Sequence, residues 1–325
     1  MKLEHAAGRD ARPPTHALRT RTHPARAAAR PTEGRDRAEV RITHPERVID
    51  ASTGITKGEL AAYFERSAAL LLWHLADRPV ALLRAPHGLD GERFFQKHAP
   101  AGRIAGARQL PASLDAGHER LLALDSPRAL MGAAQMNTVE LHTWNAQAHD
   151  IEHPDRLILD LDPGEGVDGR QLREAARLAH ELLRSLELRV FLKTSGGRGL
   201  HLVVPLAPRH DWERVRRFSQ ALAQRLVDEA PQCFVGRSGA SHRVGRIFVD
   251  VLRNARGATT VAAFSPRARP GLPVSQPLAW DELGTLELRH QADVRTSLAR
   301  LEEAQAAWAG YRRVRQGLTR AERLI

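Results

Sequence analysis

Apolar positions recur along this chain with two different periods, and the periods divide it into elements. Leu60, Tyr63, Phe64, Ser67 and Leu71 follow one another at helical spacing, up to about Ala76. Just ahead of them, Thr53-Gly54-Ile55-Thr56 reads as a turn and helix N-cap, with Glu59 placed three residues after Thr56 as a capping-box partner. Residues 79–84 form a short apolar strand and 93–97 another. Residues 138–144 (TVELHTW) alternate apolar and polar, as a half-buried strand does. From 156 onward the alternation is regular. It gives strands at 156–161, 188–193, 200–205, 246–252 and 259–264, and amphipathic helices at 169–187 and 211–229. A Pro-rich loop and a last helix near 294–309 follow. Strands interleaved with helices, with no internal repeat, predict an α/β (α+β) catalytic fold rather than a solenoid or a bundle. Residues 1–38, rich in Pro, Ala, Thr and Arg, show neither period and read as a disordered basic tail; they also mimic an Arg-rich transit peptide. Order is expected from about Val40, in one domain over 39–317, with a second basic tail at 318–325.

Composition adds limits. The chain has 325 residues, 42% hydrophobic and 27% charged, which is ordinary for a globular protein. Its longest apolar run, around 68–73, is far short of a membrane span. The single cysteine, Cys233, excludes an internal disulfide and a Cys-based zinc site, and a reducing, cytoplasmic location is expected. The formal charge is +11, but nine bases against four acids sit in 1–38, and five arginines against one glutamate in 311–325. Basic tails are commonly solvated extensions, so charge by itself leaves a nucleic-acid partner open.

Three segments carry candidate chemistry. Asp160 and Asp162 end an apolar strand and run into Pro163-Gly164; two apart on a strand, they share a face. Taken alone, the pair also fits one N-cap and one surface aspartate. Asp250 lies within RIFVDVL, where an isolated carboxylate needs a cation or a hydrogen-bond network. Three carboxylates of this kind suit two-metal phosphoryl transfer, and oxygen-only ligands favour Mg²⁺ or Mn²⁺. The third segment, Ser195-Gly196-Gly197-Arg198-Gly199-Leu200-His201, lies between two strands. Its glycines would present amides as an anion nest, with Ser195, Arg198 and His201 adding donors. It has neither the spacing of a P-loop nor that of a dinucleotide fingerprint.

LDLDPGEG, KTSGGRGLHLVVPL and RIFVDVLRNARGATTVAAFSPRARPGLPVS together resemble the signature motifs of the archaeo-eukaryotic primase superfamily, in the form found in the polymerase domain of bacterial DNA ligase D. The resemblance runs from about Thr43 (THPERVID, TGITKGEL) through FFQKHAPAG and ELHTW to about 317. It implies a primase-like fold, a mixed central sheet flanked by helices with a smaller N-terminal subdomain. It also implies roles for individual residues. Asp160, Asp162 and Asp250 match metal-binding aspartates, and Ser195, Arg198 and His201 match triphosphate-binding positions. Arg243 and Arg267 match basic residues on the nucleotide phosphates, and His142 a histidine near the incoming nucleotide. Arg47 and Lys57 match a pair holding the 5′-phosphate of the downstream strand, while Phe94, Phe95 and Lys97 fall in a template-side segment. Arg47 and Arg198 stand where lysine is frequent, which preserves charge.

The implied activity is template-directed nucleotidyl transfer, filling gaps and extending ends in non-homologous end joining with a preference for ribonucleotides. The implied cofactors are two Mn²⁺ or Mg²⁺ ions and the substrates NTP or dNTP. The implied partners are DNA with 5′-phosphorylated ends or gaps, a Ku-type end-binding protein and a separate ATP-dependent DNA ligase. None of Lys2, Lys57, Lys97 or Lys193 precedes x-Asp-Gly, so a ligase nucleophile is absent from this chain. Primer-independent priming and end binding without catalysis are the alternatives. A metal-dependent nuclease would have no use for a triphosphate loop.

Overall fold

A computed structural model describes residues 40–98, 100, 102–287 and 292–325; the tail expected over 1–38 lies outside the described residues. A hairpin of β1 (Val48–Asp50) and β2 (Ile55–Thr56) leads directly into α1 (Lys57–Leu75). The helix starts where the sequence places it. Thr56 Oγ1 accepts the Glu59 amide at 3.3 Å, and the Glu59 carboxylate accepts the Thr56 amide at 2.8 Å. Two donors that a helix start leaves open are thereby satisfied. There follow β3 (Val80–Arg84), β4 (Phe94–Gln96), β5 (Arg108–Gln109), β6 (Leu122–Ala123), α2 (Pro127–Gln135) and β7 (Thr138–Thr143). The second half comprises β8 (Arg156–Pro163), α3 (Gly169–Ser185), β9 (Phe191–Thr194), β10 (Leu200–Pro205), α4 (Trp212–Glu229), β11 (Phe234–Val235) and β12 (Ile247–Asp250). Then come β13 (Thr260–Val261), β14 (Pro277–Leu278), α5 (Leu301–Ala307) and α6 (Ala321–Leu324).

The strands form two larger sheets. One has the order β11-β12-β8-β10-β9-β14 and is antiparallel except for the β11–β12 pair. The other has the order β13-β7-β3-β6-β5, with β4 also paired to β3, and is antiparallel. The N-terminal part of the chain thus supplies most of a full six-stranded sheet. Where β12 gives way to β13, the chain passes from one sheet to the other.

The site is built by the alternation within β8, β10 and β12. Leu157, Leu159, Leu161, Leu200, Leu202, Val204, Ile247 and Val249 face α3 and α4 in one apolar core. Fully burying such a side chain stabilises by about 1.5–3 kcal/mol, which is ample to hold an opposite face that carries charge. On that opposite face Asp250 pairs with Asp160 across β12 and β8, His201 pairs with Asp160 across β10 and β8, and Lys193 pairs with His201 across β9 and β10. Four ionisable side chains therefore lie in one row across four adjacent strands.

Several elements differ from the sequence expectation. α2 is an additional helix, capped by Ser126 with Pro127 in its first turn. The strand expected at 188–193 pairs only over β9, and that at 259–264 only over β13, because the chain turns away to the loop bearing Arg267. The last helix is split into a 3₁₀ turn (Ser297–Arg300) and α5. The segment 318–325, expected as a tail, is packed. Leu318 and Ala321 are buried in the α3–α4 core, and Glu322 pairs with Arg214 at 2.6 Å. No helix among the described residues is long and apolar enough to cross a membrane.

Candidate active site

Ligand atoms of Asp160, Asp162 and Asp250 all lie within 4.8 Å of one another. Their strand register dictates this, since Asp160 and Asp162 share a face and Asp250 stands directly opposite Asp160. Burial raises Asp162, and the charges on Asp160 and Asp250 raise it further, to about 6; burial also raises Asp250. Such a cluster is electrostatically unfavourable without a cation. Asp160 Oδ1 is buried with no hydrogen-bond partner, while one Asp250 oxygen accepts the Leu252 amide at 2.8 Å. An orphaned carboxylate oxygen inside an all-oxygen donor set fits a hard divalent ion. His201 Nε2 lies 3.3 Å from Asp160 Oδ1. Burial outweighs the pull of that carboxylate and brings His201 down to about 4, so it is a neutral imidazole at pH 7.

Asp160 and Asp162 line a cavity of about 310 Å³ together with the arginines Arg198, Arg243, Arg253, Arg267 and Arg269. His142, Ser195, Arg198, His201, Arg243 and Arg267, all picked out from sequence, line it. The glycine loop departs from the expected nest. Ser195 Oγ accepts the amides of Gly197 (3.2 Å) and Gly199 (3.1 Å), so these N–H groups fix the hydroxyl instead of facing a ligand, and the hydroxyl proton is left to donate. Gly196 has φ +66°, and a Cβ there would come within 2.5 Å of Arg267 Cγ. Arg198 reaches the Gly164 carbonyl at 3.3 Å. Gly164 lets the loop carrying Arg243 close over the end of β8, since a Cβ there would lie 1.6 Å from the Arg243 carbonyl oxygen. Gly164→Ala is expected to lower stability by about 1–3 kcal/mol or more and to weaken nucleoside triphosphate binding. Thermal melting and a binding titration check both, and a variant with unchanged melting would contradict the close packing.

The cavity wall and the layer behind it hold residues that the sequence did not single out. Glu140, on the same face of β7 as His142, is buried and accepts from His142 Nε2 (2.6 Å), Arg267 Nε (3.0 Å) and the Ala268 amide (2.8 Å). Burial alone would raise its pKa, but these partners bring it down to about 2. Arg267 also donates to the Ser195 carbonyl at 2.5 Å, so Glu140 holds the arginine and the glycine loop in place. Arg253 and Arg269 line the cavity itself, and Arg253 Nε lies 3.7 Å from Asp250 and 3.9 Å from Asp160. Lys193, buried at the end of the row, donates to Ser275 Oγ at 2.5 Å, and burial pushes its ammonium well below the usual lysine range.

The remaining sequence candidates lie outside this cavity. Phe94 and Phe95 are both exposed, but only the Phe95 ring meets His142, edge-on at 5.3 Å. The pairing of β4 with β3 puts Phe95 opposite Leu83, in line with Glu140, on the cleft face. Lys97 is exposed and donates to the Gly257 carbonyl at 3.2 Å. Lys57 is the first residue of α1 and is buried. Its ammonium donates to the Gln135 carbonyl (2.9 Å) and side chain (3.1 Å). Burial lowers its pKa, and repulsion from Arg47 lowers it further. Two cations thus sit side by side at the start of α1, with Arg47 donating to the Pro86 carbonyl at 3.1 Å.

A carboxylate trio beside a cavity lined by arginines and by Ser195 of the glycine loop defines a metal-dependent phosphoryl-transfer site of the nucleotidyltransferase class. A family profile described as "LigD, primase-polymerase domain" matches residues 56–308. The multifunctional non-homologous end joining protein LigD of Pseudomonas aeruginosa is 48% identical over 305 residues, 92% of this chain and 36% of that protein. Its namesake from Mycolicibacterium smegmatis is 34% identical over 265 residues, 81% of this chain and 35% of that protein. The polymerase domain of Mycobacterium tuberculosis ligase D, solved in complex with DNA, matches with a TM-score of 0.75 at 30% identity, covering 82% of this chain and 95% of that one. The chain belongs to the LigD primase-polymerase domain family, and it spans about a third of the length of the curated relatives it matches.

Proposed function

We propose that this chain is a template-directed polymerase that fills gaps and extends ends during non-homologous end joining. The observation that carries this reading is the row of Asp250, Asp160 and His201 across three strands, with Asp160, Asp162 and His201 lining one cavity together with Ser195, Arg198, Arg243 and Arg267. Asp160, Asp162 and Asp250 would hold two divalent ions, Mn²⁺ or Mg²⁺, which when bound activate a primer 3′-hydroxyl and offset charge on the departing pyrophosphate. Ser195 donates its hydroxyl proton to a phosphate oxygen, and Arg198, Arg243 and Arg267 bind the triphosphate charge. His201, neutral and set against Asp160, lines the cavity and contributes to triphosphate binding. His142, its Nε2–H committed to Glu140, faces the incoming nucleotide, and Phe95 beside it packs on the template side. Ribonucleotides are the preferred substrates in this reading, and a Ku-type end-binding protein and an ATP-dependent DNA ligase are its partners.

Extension of a primer on a gapped duplex, comparing ribo- with deoxynucleotides and Mn²⁺ with Mg²⁺, tests the proposal. Template-dependent, ribonucleotide-favouring incorporation is expected. Products formed as readily without any primer would favour a primase, and metal-dependent binding of ends with no incorporation would favour an end-binding module.

The Arg47–Lys57 pair belongs to the same proposal. Two adjacent cations at a helix start, held by carbonyls and an amide, form a site for the 5′-phosphate across the gap. Charge-assisted hydrogen bonds contribute about 1.5–3 kcal/mol each, so Arg47→Ala/Lys57→Ala should lose affinity for 5′-phosphorylated gaps by up to a few kcal/mol. Binding to unphosphorylated ends should change much less. Equal loss for both kinds of end, read by fluorescence anisotropy, would reduce the pair to general backbone contacts.

A further inference from the structure

A second basic and aromatic recess lies away from the carboxylates. Arg156 begins β8, on the same strand face as Asp160 and four residues upstream, which along a strand is about 13 Å. It is 6% exposed, and among the described residues no carboxylate lies within ion-pair distance of it. Its guanidinium donates to Asn145 Oδ1 (2.9 Å), the Trp144 carbonyl (3.0 Å) and Thr143 Oγ1. Burial, and after it the charge on Arg78, lowers its pKa to about 10, with Tyr311 and the more distant Asp155 pulling the other way. Arg78 is buried too and grips Asp155 with both terminal nitrogens, at 2.8 and 2.5 Å. These groups, with Arg312 and Arg315, line a cavity of about 160 Å³, large enough for a phosphate group.

Trp73, His74 and Arg312 also line a neighbouring cavity of about 500 Å³, walled by Trp308 and Phe264. The Arg312 guanidinium lies over the Trp73 ring, 4.0 Å from its centroid, where the two cavities join. Five arginines, counting Arg313, face this double recess against one acid, Asp155. A buried guanidinium with no carboxylate in direct contact is costly, and an anion would offset that cost. An aromatic chamber beside a cationic one is the combination that takes a base together with its phosphate. The chain's basic 1–38 segment has the wrong charge to be the occupant.

The geometry points to a second nucleotide-binding site, distinct from the catalytic cavity, that seats a phosphate on Arg78, Arg156 and Arg315 and a base in the Trp73–Trp308 chamber. The occupant is either a free nucleotide or the phosphorylated end of a strand.

Hydrogen exchange of the full chain, with ATP and Mg²⁺ saturating the catalytic cavity, distinguishes these sources. The probes are AMP and a 5′-phosphorylated tetrathymidylate. Protection of residues 310–315 by both probes identifies a free-nucleotide site, and protection by the oligonucleotide alone a strand-end site. Arg312→Gln/Arg315→Gln alters two exposed side chains and should fold normally; it is expected to weaken binding of the protecting probe roughly tenfold or more. Absence of protection by either probe, or unchanged affinity in the double variant, would overturn the inference. Protection by a glutamate-rich peptide alone would overturn it in favour of protein docking.

Discussion

Asp250→Asn will abolish measurable nucleotide incorporation while the metal-free protein melts at the same temperature as the parent or higher. Metal ions contribute several kcal/mol of transition-state stabilisation, and about 4 kcal/mol corresponds to roughly a thousandfold in rate. The stability half of this expectation comes from electrostatics. In the absence of metal, Asp250 helps push Asp162 up to about 6, so removing its charge relieves repulsion within the cluster. The variant keeps the size of the side chain and leaves the Val249 and Ile247 face of β12 against its core. The parent should gain stability on adding Mn²⁺, and the variant should gain much less. Near-normal incorporation of a labelled nucleotide by Asp250→Asn would remove the carboxylate trio from the catalytic site. A sharp fall in melting temperature without metal would instead make Asp250 a structural residue.

The second large effect is expected at Glu140, which touches no substrate in this reading. Glu140→Ala leaves His142 and Arg267 facing each other without the carboxylate that holds them. Breaking one side of a buried pair costs about 3–5 kcal/mol. Incorporation should also fall, because Arg267 loses its tether and with it the Ser195 loop shifts. The pH dependence has a definite sign. Glu140 has a folded pKa of about 2, depressed from an ordinary 4.5. The carboxylate is therefore more stable ionised in the folded chain than in the unfolded one. Its contribution is complete above pH 4.5 and is lost as pH falls toward 2; a drop of that size corresponds to about 3 kcal/mol. Urea unfolding between pH 5 and 2.5 should show a steeper loss for the parent than for Glu140→Gln. Parallel curves would mean that Glu140 contributes nothing through its charge.

Much of this site is legible in the residues themselves. The capping box at Thr56 and Glu59 sets the start of α1, and the leucine face of β8 leaves Asp160 and Asp162 together on the other side. Glu140 was hidden by the same alternation that revealed its strand. TVELHTW reads as one face in the core and one in water, yet the polar face looks into the cleft, and Glu140 is buried by Arg267 and Ala268 from more than a hundred residues away. The burial of Lys57 was likewise invisible, because Gln135 reaches it from α2, a nine-residue helix too short for its period to stand out. Strands of two residues, such as β5, β6, β11 and β14, have no period at all and exist only through their partners. The packing of Leu318 was masked by the arginines around it.

The pairing of Asp250, Asp160, His201 and Lys193 across four strands also governs which changes of length the chain can survive. Adding or deleting one residue inside β8 or β12 would turn its carboxylates toward α3 and α4 and its leucines, isoleucine or valine into the cleft. The same change in the exposed segment 236–241, ahead of Arg243, would be absorbed by the loop. Among chains that share this chemistry, gained and lost residues should therefore collect in loops such as 236–241 and avoid β8, β10 and β12. Relatives with a single-residue insertion within β8 and intact polymerase activity would have to restore the facing by a compensating bulge.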